Sequence, residues 1–308
     1  MKKTKVTIGI PAYNEEQNIE NVLLSLMQQK TNTISLEKII VNSDSSSDKT
    51  NAIVKRLNKK YPAITLIENK DRKGKYFRVN QLFHTSKSEV LVILDADIAL
   101  KGENFLETLV TSLVKDKKSV MTAAHVEFIR PKEFFAKVIH ATFVFGDFMR
   151  LSVPGYDIAA NFHGAATAYK KSFIQKVNIP TNLSDPHIYI YYMARKVKGF
   201  RYCSEAVILQ NPPLTMKDIK QLMQRSIGKE DKELERIFGK EMLQNANIIP
   251  VKAKIIGLIK CFLWQPFYTP LAVIMNYYFA KFARPEKVDK SPIWEINAST
   301  KKPIIYGK

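Results

Sequence analysis

Two aspartates separated by one alanine, Asp95-Ala96-Asp97, follow directly on five apolar residues, Val90-Leu91-Val92-Ile93-Leu94. Ionised carboxylates this close repel each other unless something positive lies between or beside them. A divalent cation meets that need, and an all-oxygen ligand set suits Mg²⁺ or Mn²⁺, which keep waters and complete their shell from substrate phosphates. Such a centre stabilises a phosphate-bearing leaving group as it gains charge, with no proton transfer. Taken singly, Asp-Ala-Asp is also an ordinary solvated turn at the end of a strand. The remainder of the chain has to decide between the two.

The apolar run reads as a strand buried on both faces, as in the middle of a parallel sheet. Its acids then stand at the carboxyl edge, where open α/β sheets bind ligands. Val6 to Ile10 forms an earlier strand ended by Pro11. Asn14 then reads as a helix cap with Gln17 returning the capping bond, and Ile19, Val22, Leu23 and Leu26 share one helical face. The strand, loop and helix unit repeats. Lys38 to Val41 leads through Asn42-Ser43-Asp44-Ser45-Ser46-Ser47-Asp48-Lys49-Thr50 to a helix facing inward with Ile53, Val54 and Leu57. Ile64 to Ile67 leads through Asp71-Arg72-Lys73-Gly74-Lys75 to one with Val79, Leu82 and Phe83. This alternation predicts an α/β fold with a mostly parallel sheet flanked by helices. Right-handed crossovers put every loop on the same edge. Asn14, Glu15, Asp44, Lys73, Asp95 and Asp97 therefore converge. Alone, Glu15 is also a helix-dipole acid, Asp44 an Asx turn and Lys73 a solvated loop charge.

In order and spacing, Pro11-Ala12-Tyr13-Asn14-Glu15-Glu16, the Asp44 to Thr50 loop, Lys73-Gly74-Lys75 and Asp95-Ala96-Asp97 resemble the nucleotide-sugar domain of family 2 glycosyltransferases with the GT-A fold. The match covers roughly the first 210 residues. It implies a nucleoside diphosphate-sugar donor, with Pro11, Tyr13, Asn14 and Glu15 around base and ribose, Asp44 near the base and Lys73 in the donor site. It also implies Asp95 near ribose or diphosphate, and Asp97, with Asp95, on the metal. Family members often carry two adjacent acids where this chain has Ser43-Asp44. That departure leaves the base preference open.

The second half extends the resemblance. A fifth strand is expected around Val120 to Phe128, followed by the apolar stripe Phe134, Phe135, Val138, Ile139 and Phe143, which reads as core or as a membrane seat. The segment from Asn161 to Lys171, with Gly164 among its small residues, is similar to the acceptor-side segment. His163 and His187 are further contacts or simply structural. Leu183-Ser184-Asp185-Pro186 resembles the acid-bearing loop in which Asp185 would act as catalytic base; Asp before Pro is equally a helix N-cap. Gln224-Arg225 is similar to a substrate-binding segment further on. Ile227 and Gly228 stand where a processive synthase has Arg-Trp, so transfer of a single sugar is expected.

The chain has 308 residues and a formal net charge of +19, which calls for an anionic partner: phosphate-bearing substrate, anionic membrane or nucleic acid. Two cysteines without metal spacing, Cys203 and Cys261, exclude a disulfide framework and a zinc site. The start, Met1-Lys2-Lys3-Thr4-Lys5, runs into a strand, which predicts a reducing cytoplasmic setting. From Cys261 to Ala280 twenty residues carry no charge, a length that spans a bilayer. Pro266 and Pro270 interrupt this run and lysines flank both ends, so a spanning, a re-entrant and an interfacial segment are all readable, against a helical pair packed on the domain. Asn297-Ala298-Ser299 is an accidental glycosylation sequon in that setting. The expected division is a catalytic domain over 1–210, a helical segment over 211–247 completing the site, and a basic, apolar, membrane-associated or helical tail over 248–308. Two other readings stay available. A nucleotidyltransferase acting on sugar phosphates would need a glycine-rich basic loop by the first strand, and a nucleic-acid binder would need aromatic residues interleaved with arginine; the chain has neither. The expected activity is inverting, metal-dependent transfer of a sugar to a lipid-linked or membrane-presented acceptor at the cytoplasmic face of the cell membrane, with no nucleic-acid partner.

Overall fold

A computed structural model describes residues 2–180, 183, 186–215, 218–219, 232–282 and 301–304. The first four strands are β1 (Thr4–Ala12), β2 (Ile34–Ser43), β3 (Ile64–Glu68) and β4 (Val90–Leu94), joined by α1 (Ile19–Met27), α2 (Thr50–Lys60) and α3 (Lys75–Thr85). They pair in parallel in the order β3-β2-β1-β4, with Ile8 opposite both Ile39 and Val92. Every residue of β4 is buried, as its unbroken apolar run requires. Val90, Val92 and Leu94 point to the layer holding α1 and α2, and Leu91 and Ile93 to the layer holding α3.

Beyond β4 the mostly parallel sheet expected from the sequence gains antiparallel neighbours. The chain adds β5 (Ala99–Leu100), α4 (Phe105–Lys115), β6 (Met121–Phe128), α5 (Phe134–Arg150), β7 (Ala166–Lys170), α6 (Lys171–Ile174), α7 (Pro186–Lys196) and β8 (Phe200–Gln210). β7 lies between β4 and β6 and runs antiparallel to both, Val92 facing Ala168. β8 runs parallel to β6 and antiparallel to β5. The result is one mixed sheet, parallel on the side that carries the first loops. Asn14 does not cap α1. That helix starts at Ile19, and Asn14 sits at φ 52 with its side-chain oxygen accepting the Ser47 N–H at 2.9 Å.

The tail takes the form of paired short helices. After α8 (Lys232–Phe238) and α9 (Lys240–Asn247), the uncharged run is divided between α10 (Val251–Trp264) and α11 (Thr269–Phe282). At 1.5 Å per residue each is about 21 Å long, short of a hydrocarbon core of about 30 Å. Among the described residues no helix is long and apolar enough to cross a membrane. The Thr269 hydroxyl ties the break together, donating to the carbonyls of Cys261 and Gln265.

α10 packs on α5 through its small residues. Ala253, Gly257 and Cys261, four apart, are buried, and a Cβ on Gly257 would stand 2.7 Å from Met149 N and 2.8 Å from Met149 Cα. Backbone cannot give way as a side chain does. Gly257→Ala is therefore expected to push α10 off α5 and cost about 1–3 kcal/mol. Urea unfolding together with proteolysis around residue 250 reads this; stability and cleavage equal to the parent would refute the packing.

Candidate active site

Three loops at the carboxyl edge of the parallel strands are laced together by their own polar groups. In the first, Asn14 N–H donates to Ser46 Oγ at 3.1 Å, Glu15 N–H to Thr50 Oγ1 at 2.8 Å and Glu16 N–H to Asp48 at 2.9 Å. Asp48 in turn accepts the Thr50 N–H at 2.9 Å, the first N–H of α2. These bonds account for the Ser/Asp/Thr-rich composition of the second loop.

Asp44 is 4% exposed and fully engaged. One oxygen accepts the Lys73 N–H at 2.9 Å and Arg78 Nε at 2.6 Å, and the other the Gly74 N–H at 2.8 Å. Arg78 is itself buried and also bonds the Asp71 carbonyl. Asp44 thus sits at the base of the site and shapes the third loop. Lys73 contributes its backbone here, while its exposed side chain lies over the Phe77 ring, 4.9 Å from the centroid.

The cation beside the central acids is Lys75, whose Nζ is 2.5 Å from Asp95 and 3.3 Å from the Gly164 carbonyl. A lysine in the first turn of a helix opposes the helix dipole, so this placement is sustained by the Asp95 pairing. Asp95 is held by its own N–H on the Ala165 carbonyl at 2.8 Å. Asp97, two residues on, has its pKa raised to about 6, chiefly by burial and then by the charge of Asp95, with Lys75 and Lys301 partly offsetting both. Glu15, 7% exposed, is pushed up to about 7 by burial and by Asp97, against the pull of Lys301. Its Oε1 lies 2.6 Å from Lys301 Nζ, and among the described residues its Oε2 has no hydrogen-bond partner.

This cluster is short of positive charge, which is the condition a divalent cation relieves. Asp95 and Asp97, with the buried oxygen of Glu15 near them in charge, fit a hard cation. Among the described residues no three His, Cys, Asp or Glu side chains come together to enclose one. The donor set suits an ion that draws most of its shell from water and phosphate, as Mg²⁺ and Mn²⁺ do.

On the far side, Gly164 at φ 68 turns the chain into β7, and a Cβ there would meet His187 Cβ and Tyr76 Oη at 3.5 Å. His187 stacks with Tyr76 and lies against Phe162. His163 has its ring pKa pushed well down by burial and then by Arg150, so it stands as a neutral imidazole. Pro11 lies within β1 opposite Asn42, the strand running on to Ala12 where the sequence had it end at Pro11, and the Tyr13 ring lies 3.8 Å beneath the Arg72 guanidinium. Asp185, Gln224 and Arg225, together with Ser184, Ile227, Gly228 and the Asn297 sequon, lie outside the described residues.

Of the expected residues, the structure brings Tyr13, Asn14, Glu15, Asp44, Asp95, Asp97 and Gly164 to one edge. Sequence reading missed Arg72, Lys75, Arg78 and Lys301. Lys75 and Arg78 carried a signal, since two cations in a helix's first turn call for nearby acids. Lys301 carried none.

Comparison with known proteins bears on the family and the fold. The family model described as glycosyl transferase family 2 matches residues 7–177. A dolichyl-phosphate beta-glucosyltransferase of Trichomonas vaginalis is 33% identical over 118 residues, 36% of this chain and 36% of that protein. A probable glycosyltransferase of Bacillus subtilis is 35% identical over 118 residues, 37% of this chain and 28% of that one. The chain thus spans about a third of the length of these relatives. A solved mannosyltransferase of Pyrobaculum calidifontis, in complex with GDP-Man and Mn²⁺, shares the fold with a TM-score of 0.56 at 20% identity, over 92% of this chain and 76% of that one.

Proposed function

The chain belongs to glycosyl transferase family 2, and from that premise we propose that it is an inverting, metal-dependent enzyme moving one sugar from a nucleoside diphosphate-sugar to a lipid-linked acceptor. The observation that carries this reading is the meeting of Glu15, the Asp44–Arg78 pair, Asp97 and the Asp95–Lys75 pair at one sheet edge. Tyr13 and Asn14 line the nucleotide side. Asp95 and Asp97 would hold Mn²⁺ or Mg²⁺, which when bound neutralises charge on the departing diphosphate. Lys75 gives the same place a protein cation. Asp185 is assigned the role of taking the acceptor proton, and Gln224 and Arg225 that of binding substrate. Screening a panel of nucleotide sugars for Mn²⁺-dependent hydrolysis tests the reading; no turnover of any donor would reject it.

A lipid-linked acceptor is supported by the tail and by the acceptor named for the Trichomonas relative. While α10 buries its small residues, it presents its large ones: Leu263 is 77% exposed and Phe267, in the turn after it, 85%. Exposed Lys252, Lys254 and Lys260 lie along the same helix. Apolar side chains outward with lysines beside them match an anionic bilayer surface, where each lysine contributes about 1 kcal/mol. The pair α10–α11 then seats the enzyme peripherally at the membrane. Co-sedimentation with phosphatidylglycerol vesicles is expected, and Leu263→Glu with Phe267→Glu should weaken it at least about tenfold. Binding to neutral vesicles alone, or an unaffected double variant, would contradict this seat.

A further inference from the structure

Residues 301–304 lie against the first loop of the site although nearly the whole chain separates them from it. The Lys301 ammonium donates to the Tyr13 carbonyl at 2.5 Å and the Asn14 carbonyl at 3.1 Å, and pairs with Glu15 Oε1 at 2.6 Å. An ammonium has three N–H bonds and no acceptor. These partners use all three, which leaves none for a phosphate or a base. The backbone there is held as well: Asn18 Nδ2 donates to the Lys301 carbonyl at 2.9 Å, and Asn211 Nδ2 to the Lys302 carbonyl at 2.7 Å. Ile304 is buried.

The loop needs such a cation. With Asn14 at φ 52, two successive carbonyls and the Glu15 carboxylate are directed at one point. Three negative ends gathered away from water are costly without a positive partner. The bonds to Ser46, Ser47 and Thr50 hold the turn from the β2–α2 side and supply no charge. Lys301 supplies it from the opposite end of the sequence.

We propose that Lys301 is a positioning residue for the donor: the C-terminal segment straps the Tyr13–Glu15 turn into the shape that receives the nucleotide. The ammonium acts through the turn and not on the donor. This rests on the reading of that turn as the nucleotide loop.

The test titrates UDP and GDP, with Mn²⁺, into the full chain and into Lys301→Met, Lys301→Arg and Lys302→Met, with amide exchange followed over residues 13–18. Lys301→Met should raise the nucleotide Kd about tenfold, the scale of losing hydrogen bonds from a charged group, and the loss should fall on donor KM more than on kcat. Lys301→Arg should recover most of it, Lys302→Met should match the parent, and of these three variants only Lys301→Met should quicken exchange over 13–18. Asn211→Ala, which loosens the strap outside the site, should give an intermediate loss if Lys301→Met proves unstable. Unchanged nucleotide binding in Lys301→Met overturns the proposal, and so does tighter binding, since the segment would then be a plug competing with donor. If the parent binds neither nucleotide, the reading of the site fails, and the exchange data alone judge the strap: equal exchange over 13–18 overturns it.

Discussion

Asp97→Asn is expected to lower sugar transfer by about a thousandfold while leaving the protein as stable as the parent, or more so, at neutral pH. On the proposed function, loss of one charge from a centre stabilising a departing diphosphate is worth several kcal/mol, and about 4 kcal/mol is a thousandfold. The stability sign follows from the raised pKa. With a folded-state value of about 6 against 3.8 for the free side chain, Asp97 favours folding in its protonated form. That contribution is complete below about pH 4 and is lost as pH rises through about 6. At pH 7 the carboxylate burdens the fold beside Asp95, and asparagine removes the burden. Activity and thermal stability should therefore move in opposite directions, as at sites that trade stability for function. The partner experiment is Asp185→Asn, which should cost about 10²–10⁴ in transfer as a lost general base does, with nucleotide binding preserved. Calorimetry for UDP or GDP separates the two, because Asp97→Asn should also lose metal-dependent binding. Full activity in both variants would refute the assigned roles.

Asp44→Ala should destabilise the protein by about 3–5 kcal/mol. The Asp44 and Arg78 side chains are 5% and 3% exposed and 2.6 Å apart. Removing one member leaves the other charge buried and uncompensated, which is where the large penalties for buried pairs arise. Here the alanine also strands the N–H groups of Lys73 and Gly74. The loop that delivers Lys75 to Asp95 would lose its anchor, so nucleotide binding should fall with stability. Arg78→Met alone should be comparably harmful, and the double variant should be less harmful than the sum of the singles. Urea unfolding of the four proteins gives the cycle. A single variant within about 1 kcal/mol of the parent would show that the pair is not the anchor it resembles, given that such pairs contribute little only when solvated.

The two experiments distinguish two kinds of acid at one sheet edge. Asp44 is satisfied by the Lys73 and Gly74 N–H groups and by its ion pair with Arg78, and holds the site's shape. Asp97 and Glu15 are left with pKa values far above the usual carboxylate range. Perturbation of that kind, where loops converge on one sheet edge, is the pattern that functional sites show.

Much of this was legible in the chain itself. β4 is buried on both faces because Val90 to Leu94 contains no polar residue, and the acids after it had to emerge at the sheet's edge. Alternating strand and helix patterns brought Glu15, Asp44 and Asp97 to that edge, because side-chain period and crossover handedness are local properties. Tertiary structure alone decided the rest. Lys73 and Lys75 are alike in sequence, yet only the orientation of α3 against β4 shows that Lys75 meets Asp95. The antiparallel β7 depends on which edge of the sheet was free, and only the fold shows that the uncharged run from Cys261 to Ala280 is split between two helices, the first packed on α5 at Gly257. Lys301 reaches Tyr13 across 288 positions by a path set entirely by packing. Hydrophobic period and residue type are written residue by residue; which charge faces which is settled only when distant backbones are brought within a few ångströms.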